Sequence, residues 1–568
     1  MTSTPATGSV GPAATPDSRH PVAERHAALL ADLATRVVAA DGAEQTTVHT
    51  PLTGQRIATL SRSTTEDVDR AVAAARAAQP GWATRTPRER ARVLARLADL
   101  VVERQAEGLD LAQLETGKSR SHAFDEIAEV AINARWIARH APAALRSRRH
   151  PGLTPLTIVT ELHHPKGVVG VISPWNYPYT LSVSDAVAAL AAGNAVVLKP
   201  DSRTPFTALW GARLLADAGL PDGLFQIVHG AGTVVGTRII DTTDHLCFTG
   251  STATGRRVAE RAAARLVGAS LELGGKNAVY VADDADLDRA AEAIVRDSFG
   301  NTGHTCISME RLLLHERIAD PFLDRFLPRV RALRLGAGFD YDADLGCIAS
   351  PAQFDTLVAH IADATGRGAV VLAGGRARPD LGPLFHEPTV LDRVPPEAVC
   401  ATAETFGPLV AVRRVRDDDE AVAVMNGTEF GLHASVWSGD RLRAGRIARQ
   451  VVTGTVGVNE AYTLTWASVA APMGGRRQSG LGRRHGVVGI RRFTETQSVV
   501  HQHLIGATPG CTHGCCGPPG QSACPGRPGS APRSGDGSAH RPGDGAAPGR
   551  HRRRGSVSSR VPCPRRIA

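Results

Sequence analysis

The chain of 568 residues is 42% hydrophobic and carries a formal net charge of +9 at pH 7, so large buried cores are expected. Residues 506–568 contain ten Arg and two Asp and hold +8 of that charge, so the remainder, at +1, offers no basic stripe for nucleic acid. No apolar run of about eighteen residues and no secretory signal occurs, so we expect no membrane span and a cytoplasmic location.

The N-terminal part of the chain changes from a polar segment to helical patterns. Residues 1–22 are rich in Thr, Pro, Ser and Gly, a composition that predicts disorder. A first helix is predicted to be capped by Thr64 or Thr65 and to end near Pro80. A second helix is predicted to begin after Thr86, with an apolar residue every three or four positions.

From residue 167 onward, short apolar runs alternate with helical stretches. The predicted strands are 167–172, 195–199, 224–228 and 246–248, and the predicted helices between and after them are 182–191, 205–218, 233–240 and 252–266. This alternation predicts a parallel sheet covered by helices on both faces. A second alternating block runs from about residue 276 to 459, so the fold class is α/β.

Three separate segments carry residue types suited to covalent catalysis, namely a thiol, a carboxylate and a side-chain amide. Cys306 ends the run Asn-Thr-Gly-His-Thr-Cys, and its thiol is reactive only as a thiolate, which requires a nearby base. Glu272 lies between two Leu, where burial would raise the pKa of its carboxyl toward that of a useful base. Asn176, in Pro-Trp-Asn-Tyr-Pro, would donate its amide to a developing oxyanion together with the backbone N–H of Cys306.

The other cysteines lack such a setting. Cys247, Cys347 and Cys400 are predicted to be buried free thiols. The five cysteines after residue 505 do not follow a standard zinc spacing, so no metal site is predicted.

A glycine-containing turn follows the last predicted strand of the first block. Gly250 and Ser251 stand at the start of a predicted helix, and Gly255 lies in its first turn. Backbone N–H groups at such a helix start suit a pyrophosphate. A lone Gly-x4-Gly pattern is weak evidence, since glycine turns are common.

The order of these segments resembles the aldehyde dehydrogenase superfamily from about residue 48 to 500. Further segments that match it are Glu115–Lys118, Glu387–Val390, Asn459, Pro472–Gly475 and Ser479–Arg483. The resemblance implies a Rossmann-like parallel-sheet cofactor domain, an α/β catalytic domain and a small β oligomerisation arm in a homodimer or homotetramer. The implied boundaries are 23–146 with 166–274 for the cofactor domain, 275–475 for the catalytic domain and 147–165 with 486–505 for the arm. A Gly/Pro/Arg-rich tail, 506–568, is predicted to be disordered.

The same resemblance assigns roles to individual residues. It implies that Cys306 forms a thiohemiacetal and then a thioester, and that Glu272 activates the hydrolytic water. It places Trp175 and Asn176 at the cofactor, the segment Lys199, Pro200, Asp201 and Ser202 at the adenosine ribose, and Glu404 and Phe406 at the nicotinamide ribose. Ser202 stands where NAD-preferring relatives often carry Glu, so NADP is favoured over NAD, with Lys199 and Arg203 as candidate partners of the 2′-phosphate.

Within the superfamily, the segments Lys199–Trp210, Cys306–Arg311 and Ala471–Gly475 most resemble bacterial NADP-type succinate-semialdehyde dehydrogenases. Better-known members with that activity bind the substrate carboxylate with Arg at the positions of Ser184 and Gly300, and they carry Gln at the position of His304. The expected reaction is oxidation of succinate semialdehyde to succinate with NADP. Two alternatives stay open: a broad-specificity aldehyde dehydrogenase for aromatic or aliphatic aldehydes, and a non-catalytic interaction protein that acts through the basic tail.

Overall fold

The computed structural model describes residues 18–153 and 156–502. The disorder predicted for residues 1–17 and for the tail 506–568 falls outside these ranges. Ordered structure begins before the predicted boundary at residue 22, because Arg19 pairs with Arg56 and a helix starts at Pro21. The side chain of Val22 anchors this helix in the first hydrophobic core.

The strands of the described ranges form four sheets. They are β1 Gln45–His49, β2 Arg56–Ser61, β3 Arg148–Pro151, β4 Thr157–Pro165, β5 Val168–Ile172, β6 Ala195–Lys199, β7 Phe225–Ile227, β8 His245–Thr249, β9 Gly268–Glu272, β10 Asn277–Val281, β11 Met309–His315, β12 Val370–Ala373, β13 Thr389–Asp392, β14 Leu409–Val415, β15 His433–Trp437, β16 Thr455–Val458, β17 Gly480–Leu481 and β18 Thr494–Gln502.

The α-helices of the same ranges are α1 Pro21–Arg25, α2 Ala27–Ala34, α3 Thr65–Ala83, α4 Pro87–Glu103, α5 Gln105–Thr116, α6 Arg120–Ala144, α7 Pro178–Ala191, α8 Pro205–Asp217, α9 Thr237–Thr242, α10 Thr252–Ala264, α11 Leu287–Phe299, α12 Ala319–Arg331, α13 Pro351–Gly366, α14 Val399–Thr402, α15 Asp418–Asn426, α16 Arg441–Gln450, α17 Thr463–Ala467 and α18 Gly486–Arg491. None of them is long and apolar enough to cross a membrane.

The first α/β block contains a six-stranded sheet in the order β17-β9-β8-β5-β6-β7. Strands β5 to β9 are parallel, which confirms the predicted parallel sheet. The chain builds outward from β5 to β6 and β7 on one side and to β8 and β9 on the other. The order therefore reverses between β5 and β8, and the segments that follow all five strands meet at one edge.

The second α/β block contains a seven-stranded sheet in the order β12-β13-β14-β11-β10-β15-β16. Every pairing in it is parallel except that of β12 with β13. A separate three-stranded antiparallel sheet, β18-β4-β3, joins the segments around residues 148–165 to the end of the described chain. The predicted fold class, with two parallel-sheet blocks and a small β sheet, is confirmed.

The predicted helix caps are present, but the first helix is longer than predicted. Thr64 and Asp67 form a reciprocal capping box at α3, and Thr86 and Glu89 form another at α4. The helix α3 continues through Pro80 to residue 83. The indole of Trp82 is buried and donates a hydrogen bond to the Leu190 carbonyl at 2.8 Å, so tertiary packing holds the turn that the proline disfavours.

Two further differences concern the C-terminal part of the described chain. The short strand β17 adds antiparallel to β9, so residues that the predicted boundaries assigned to no domain join the sheet of the first block. The arm was predicted to resume at residue 486, yet Ile490 and Phe493 are buried in the first hydrophobic core. The three-stranded sheet therefore takes up the chain only at Thr494, because residues 486–493 pack as a helix and turn against the first block.

Candidate active site

A cavity of about 200 Å³ reaches the thiol-bearing loop after α11. Its walls come from α6, from the N-terminal half of α7, from the end of α11 and from residues 462–473. Both Cys306 and Asn176 line it, so the structure brings these two predicted residues to one space.

The backbone conformation of residues 301–303 places Cys306 at the cavity. Asn301, Thr302 and Gly303 all have positive φ angles, of 51°, 56° and 72°. A Cβ at Gly303 would lie 2.2 Å from the carbonyl oxygen of Gly407, so only glycine fits there. Strain of this kind persists only where the surroundings enforce it, and here it fixes the loop that ends at Cys306.

Asn176 is held by a buried network. The Lys118 ammonium donates to the Asn176 carbonyl at 2.9 Å and to Glu126 at 2.6 Å. The side-chain amide of Asn176 donates to the His304 carbonyl at 3.0 Å, and Asn301 donates to that same carbonyl. No second acceptor for the Asn176 amide lies among the residues described, so its other N–H is available at the cavity.

Cys306 rests as a thiol in this environment. Burial raises the pKa of the Cys306 thiol to about 12, and the nearby carboxyls of Glu404 and Glu272 add to the increase. Its carbonyl accepts a hydrogen bond from the Asn277 amide at 2.8 Å. Formation of the thiolate therefore requires a proton acceptor at the site.

Glu272 combines burial with the absence of a hydrogen bond. Burial raises the pKa of the Glu272 carboxyl to about 7, although Arg484 and Arg492 act to lower it. Its Oε1 makes no hydrogen bond to any described residue and lies 4.0 Å from Arg484 Nε. A buried carboxyl that titrates near neutral pH has the properties of a general base.

The sequence did not indicate the charged residues that surround Glu272. Arg484 lines the cavity and forms a 2.8 Å ion pair with Asp185, which also binds Arg492. The recognised segment 479–483 ended one residue before Arg484, and Asp185 had no motif around it. Only the packing of β17 and α18 against the first block brings these groups together.

The pKa of Glu272 predicts a pH profile. If ionised Glu272 activates the hydrolytic water, the rate of thioester hydrolysis will rise with pH, reach half its maximum near pH 7 and level off above it. The hydrolysis rate should be measured as the steady-state rate between pH 6 and 9, at saturating aldehyde and cofactor. A rate independent of pH across neutrality would exclude this group from the slow step.

The edge of the first sheet has the shape of a dinucleotide site. Ser251 caps α10 by accepting a hydrogen bond from the Thr254 N–H at 3.4 Å, and Gly250 precedes it. A Cβ at Gly255 would lie 2.4 Å from the Leu273 side chain, so glycine permits α10 to pack closely on the strand. A helix start at a point where strand order reverses is a common position for a pyrophosphate, and these residues fit one.

The segment after β6 forms the adjoining part of this edge. Lys199 is 6% exposed and its ammonium donates to the Pro200 carbonyl at 2.8 Å. Ser202 donates its hydroxyl to the Gly230 carbonyl at 3.0 Å. The Arg203 guanidinium donates two hydrogen bonds to the Asp201 carboxylate. Of the two residues predicted to bind the 2′-phosphate, Lys199 is therefore the one that has no acidic hydrogen-bond partner among the described residues.

Glu404 and Phe406 lie next to the thiol-bearing loop. Glu404 accepts a hydrogen bond from the Gly275 N–H at 2.8 Å, and burial raises the pKa of its carboxyl to about 8. The rings of Trp175 and Phe406 meet edge to face with centroids 5.6 Å apart. His304 packs 5.0 Å from Trp175, so the residue that replaces the usual Gln completes an aromatic cluster.

The predicted residues thus form two adjacent groups. Cys306 and Asn176 line the cavity, and Glu272 lies next to its wall residue Arg484, with Oε1 4.0 Å from Arg484 Nε. The predicted cofactor residues of the first block follow its strands at their carboxyl ends, whereas Glu404 and Phe406 lie beside the loop that carries Cys306. No cluster of three or more metal-ligating side chains occurs among the residues that the structure describes.

Comparison with known proteins agrees with this geometry. Residues 37–499 match the sequence profile described as the Aldehyde dehydrogenase family. The chain is 49% identical over 470 residues to a Mycolicibacterium smegmatis protein named "Putative succinate-semialdehyde dehydrogenase [NADP(+)]", covering 83% of this chain and 91% of the relative.

Two further relatives extend the comparison. A "Glutarate-semialdehyde dehydrogenase" of Pseudomonas aeruginosa is 37% identical over 460 residues, covering 81% of this chain and 94% of the relative. A crystal structure titled "E. coli NADP dependent enzyme" superposes with a TM-score of 0.80 at 33% identity, covering 83% of this chain and 99% of the other. The chain belongs to the aldehyde dehydrogenase family.

Proposed function

We propose that this chain oxidises succinate semialdehyde to succinate with NADP, through a covalent intermediate on Cys306. The observation that carries the proposal is the arrangement of Cys306 and Asn176 on one cavity, with the carboxyl of Glu272 4.0 Å from the lining residue Arg484 and its Oε1 without a hydrogen bond to any described residue. The printed names of two relatives, which specify semialdehydes of dicarboxylic acids, support the substrate class.

The first half of the proposed mechanism forms the thiohemiacetal and removes its hydride. Glu272 accepts the proton of the Cys306 thiol, and the thiolate attacks the aldehyde carbon. The carbonyl oxygen then receives hydrogen bonds from the Asn176 amide and from the Cys306 N–H, which stabilise its negative charge. A nicotinamide bound at the carboxyl edge of the first sheet supplies the acceptor for the hydride that leaves the thiohemiacetal.

The second half of the mechanism releases the acid. Loss of the hydride leaves an acyl group bound to the Cys306 sulfur as a thioester. After Glu272 has passed the thiol proton to solvent, it takes a proton from a water molecule as that water attacks the thioester carbon. The C–S bond breaks, the acid leaves, and the released thiolate of Cys306 takes that proton from Glu272, which restores the thiol.

A panel of aldehydes tests the proposal directly. The full-length protein should be mixed with NADP and with succinate semialdehyde, butanal or benzaldehyde, and formation of reduced cofactor followed by absorbance. We expect the highest kcat/KM with succinate semialdehyde. No reduction with any aldehyde would reject the enzymatic proposal in favour of a non-catalytic role.

A specific observation keeps the broad-specificity alternative as a second candidate. The cavity wall contains Leu181, Ile307, Trp466, Val469 and Met473, which suit an uncharged aliphatic or aromatic aldehyde. A higher kcat/KM for butanal or benzaldehyde than for succinate semialdehyde would favour this second function.

Ser202→Glu is expected to shift the cofactor preference from NADP toward NAD. A carboxylate at this position would accept hydrogen bonds from the ribose hydroxyls and repel a 2′-phosphate. A charge-assisted contact is worth about 1.5–3 kcal/mol, so the ratio of kcat/KM for the two cofactors should move roughly ten- to a hundredfold. The measurement is kcat/KM for NADP and NAD at one fixed aldehyde concentration.

Ser202→Gln is the matched control for this change, because it adds a side chain of the same size without the charge. The ratio should move much less in this variant than in Ser202→Glu. A parent enzyme that prefers NAD, or equal shifts in both variants, would show that Ser202 does not contact the ribose.

The remaining roles also belong to this proposal. We assign cofactor binding to the first α/β block and subunit pairing to the three-stranded sheet, where β18 is an edge strand whose residues are mostly exposed. Such an edge can pair with a strand of a second copy in a homodimer or homotetramer. A cytoplasmic location stays a prediction.

A further inference from the structure

At one of the two positions that bind the carboxylate in better-known relatives, a side chain would displace a tyrosine hydroxyl. A Cβ at Gly300 would lie 2.8 Å from the hydroxyl oxygen of Tyr462. The backbone N–H of Tyr462 donates to Asp297 on α11 at 3.0 Å, and Tyr462 is buried. Position 300 is therefore filled by a tyrosine hydroxyl from a neighbouring segment.

The other position faces an acidic group. The hydroxyl of Ser184 donates to Glu129 Oε2 at 2.9 Å, and both residues line the cavity. Burial raises the pKa of the Glu129 carboxyl to about 7. Neither of the two positions thus supplies a cation to a substrate carboxylate.

One cation of the cavity wall remains unpaired. The guanidinium of Arg296 lines the cavity and forms no ion pair or hydrogen bond with any residue that the structure describes. The other arginine of the wall, Arg484, is bound to Asp185. The two histidines of the wall, His122 and His485, are neutral at pH 7, because burial lowers the pKa of each to about 3.

Arg296 lies on α11 close to position 300, where better-known relatives carry an arginine. Residue 296 precedes residue 300 by four positions, which is about one helical turn. The Arg296 side chain is exposed at the cavity. Cys306 lies on the loop that follows α11. An aldehyde held by Cys306 with an acidic group at its far end would extend toward this turn of the helix.

We propose that Arg296 binds the distal carboxylate of the substrate and so makes the enzyme specific for short aldehydes that end in a carboxylate. The hydroxyl of Tyr462, at the place where relatives carry arginine, is positioned to donate a second hydrogen bond to the same group. This inference rests on the proposed function, because it assigns a residue to the substrate named there.

Asp125 is an acidic residue whose carboxylate would compete with the substrate carboxylate for Arg296. It lines the same cavity, and the positive charge of Arg296 lowers the pKa of its carboxyl, although burial raises it by more. The two side chains are not within ion-pair distance, since the structure shows no contact of 4.0 Å or less between them in the ranges it covers. Arg296 can therefore bind a substrate carboxylate without first breaking an ion pair.

Arg296→Met tests the assignment, with kcat and KM measured for succinate semialdehyde and for butanal, which has the same chain length but no carboxylate. We expect kcat/KM for succinate semialdehyde to fall roughly ten- to a hundredfold, mainly through KM, because a charge-assisted contact is lost. The values for butanal should remain within about threefold of the parent. Arg296→Lys, which keeps the charge but not the planar fork, should lie between the two.

Arg289→Met is the matched control, because Arg289 is on α11 but does not line the cavity. Removing this charge should leave both substrates unaffected. Equal losses for both substrates in Arg296→Met, or no loss for either, would overturn the assignment of Arg296. Failure of the proposed function would appear instead in the parent, as a kcat/KM for succinate semialdehyde no higher than that for butanal.

Discussion

Cys306→Ala is expected to lower kcat for aldehyde oxidation by more than about a thousandfold, because no covalent intermediate can form without the sulfur. Binding of NADP should be nearly unchanged, since Cys306 is not among the predicted cofactor residues, most of which lie along the carboxyl edge of the first sheet. The two measurements are initial rates of reduced-cofactor formation and the Kd for NADP by fluorescence titration. Turnover within about tenfold of the parent, which is only about 1.4 kcal/mol of barrier, would remove the nucleophile assignment.

Cys400→Ala is the matched control for this experiment. Cys400 is a buried thiol in α14, packed in a separate small core that does not touch the cavity. Its replacement should keep turnover close to that of the parent while lowering the free energy of unfolding by about 1 kcal/mol. A similar loss of activity in both variants would indicate general damage to the fold.

Glu272→Gln is expected to separate the two halves of the reaction. Glutamine keeps the shape but cannot accept a proton from water, so the thioester should accumulate. Rapid mixing with saturating succinate semialdehyde and NADP should show a burst of reduced cofactor, followed by a steady rate at least about a hundredfold below that of the parent. Mass spectrometry of the quenched protein should show the added acyl group on Cys306.

Glu129→Gln provides the comparison for Glu272→Gln, because Glu129 is the other carboxyl near the cavity with a pKa raised to about 7. If Glu272 activates the water, Glu129→Gln will show no accumulation of acyl enzyme, even where its KM changes. A burst in Glu129→Gln and none in Glu272→Gln would transfer the role of the base to Glu129.

The alternation of apolar runs and helical stretches predicted the first sheet well. The observed strands β5 to β8 begin and end within one residue of the predicted bounds, since buried parallel strands are short, continuous apolar runs. Helix ends were less predictable. Pro80 indicated a stop, but burial of Trp82 carries α3 three residues further, and no local pattern contains that contact.

Site residues that stand in short sequence motifs could be predicted, whereas site residues whose role depends on contacts distant in sequence could not. Cys306, Glu272 and Asn176 stand in distinctive short segments, and the structure places Cys306 and Asn176 on one cavity with Glu272 next to its wall residue Arg484. Arg484 and Arg296 carry no such segment. Their importance depends on what pairs with them in space: Asp185 pairs with Arg484, whereas no described residue pairs with Arg296.

The high resting pKa of Cys306 has a consequence for the durability of the enzyme. Thiolates, and not thiols, attack peroxides and disulfides, and a thiol with a pKa of about 12 is almost entirely protonated at neutral pH. Such a sulfur resists irreversible oxidation while no substrate is present. In the proposed mechanism, the burial that makes catalysis begin with a proton transfer therefore also protects Cys306 between turnovers.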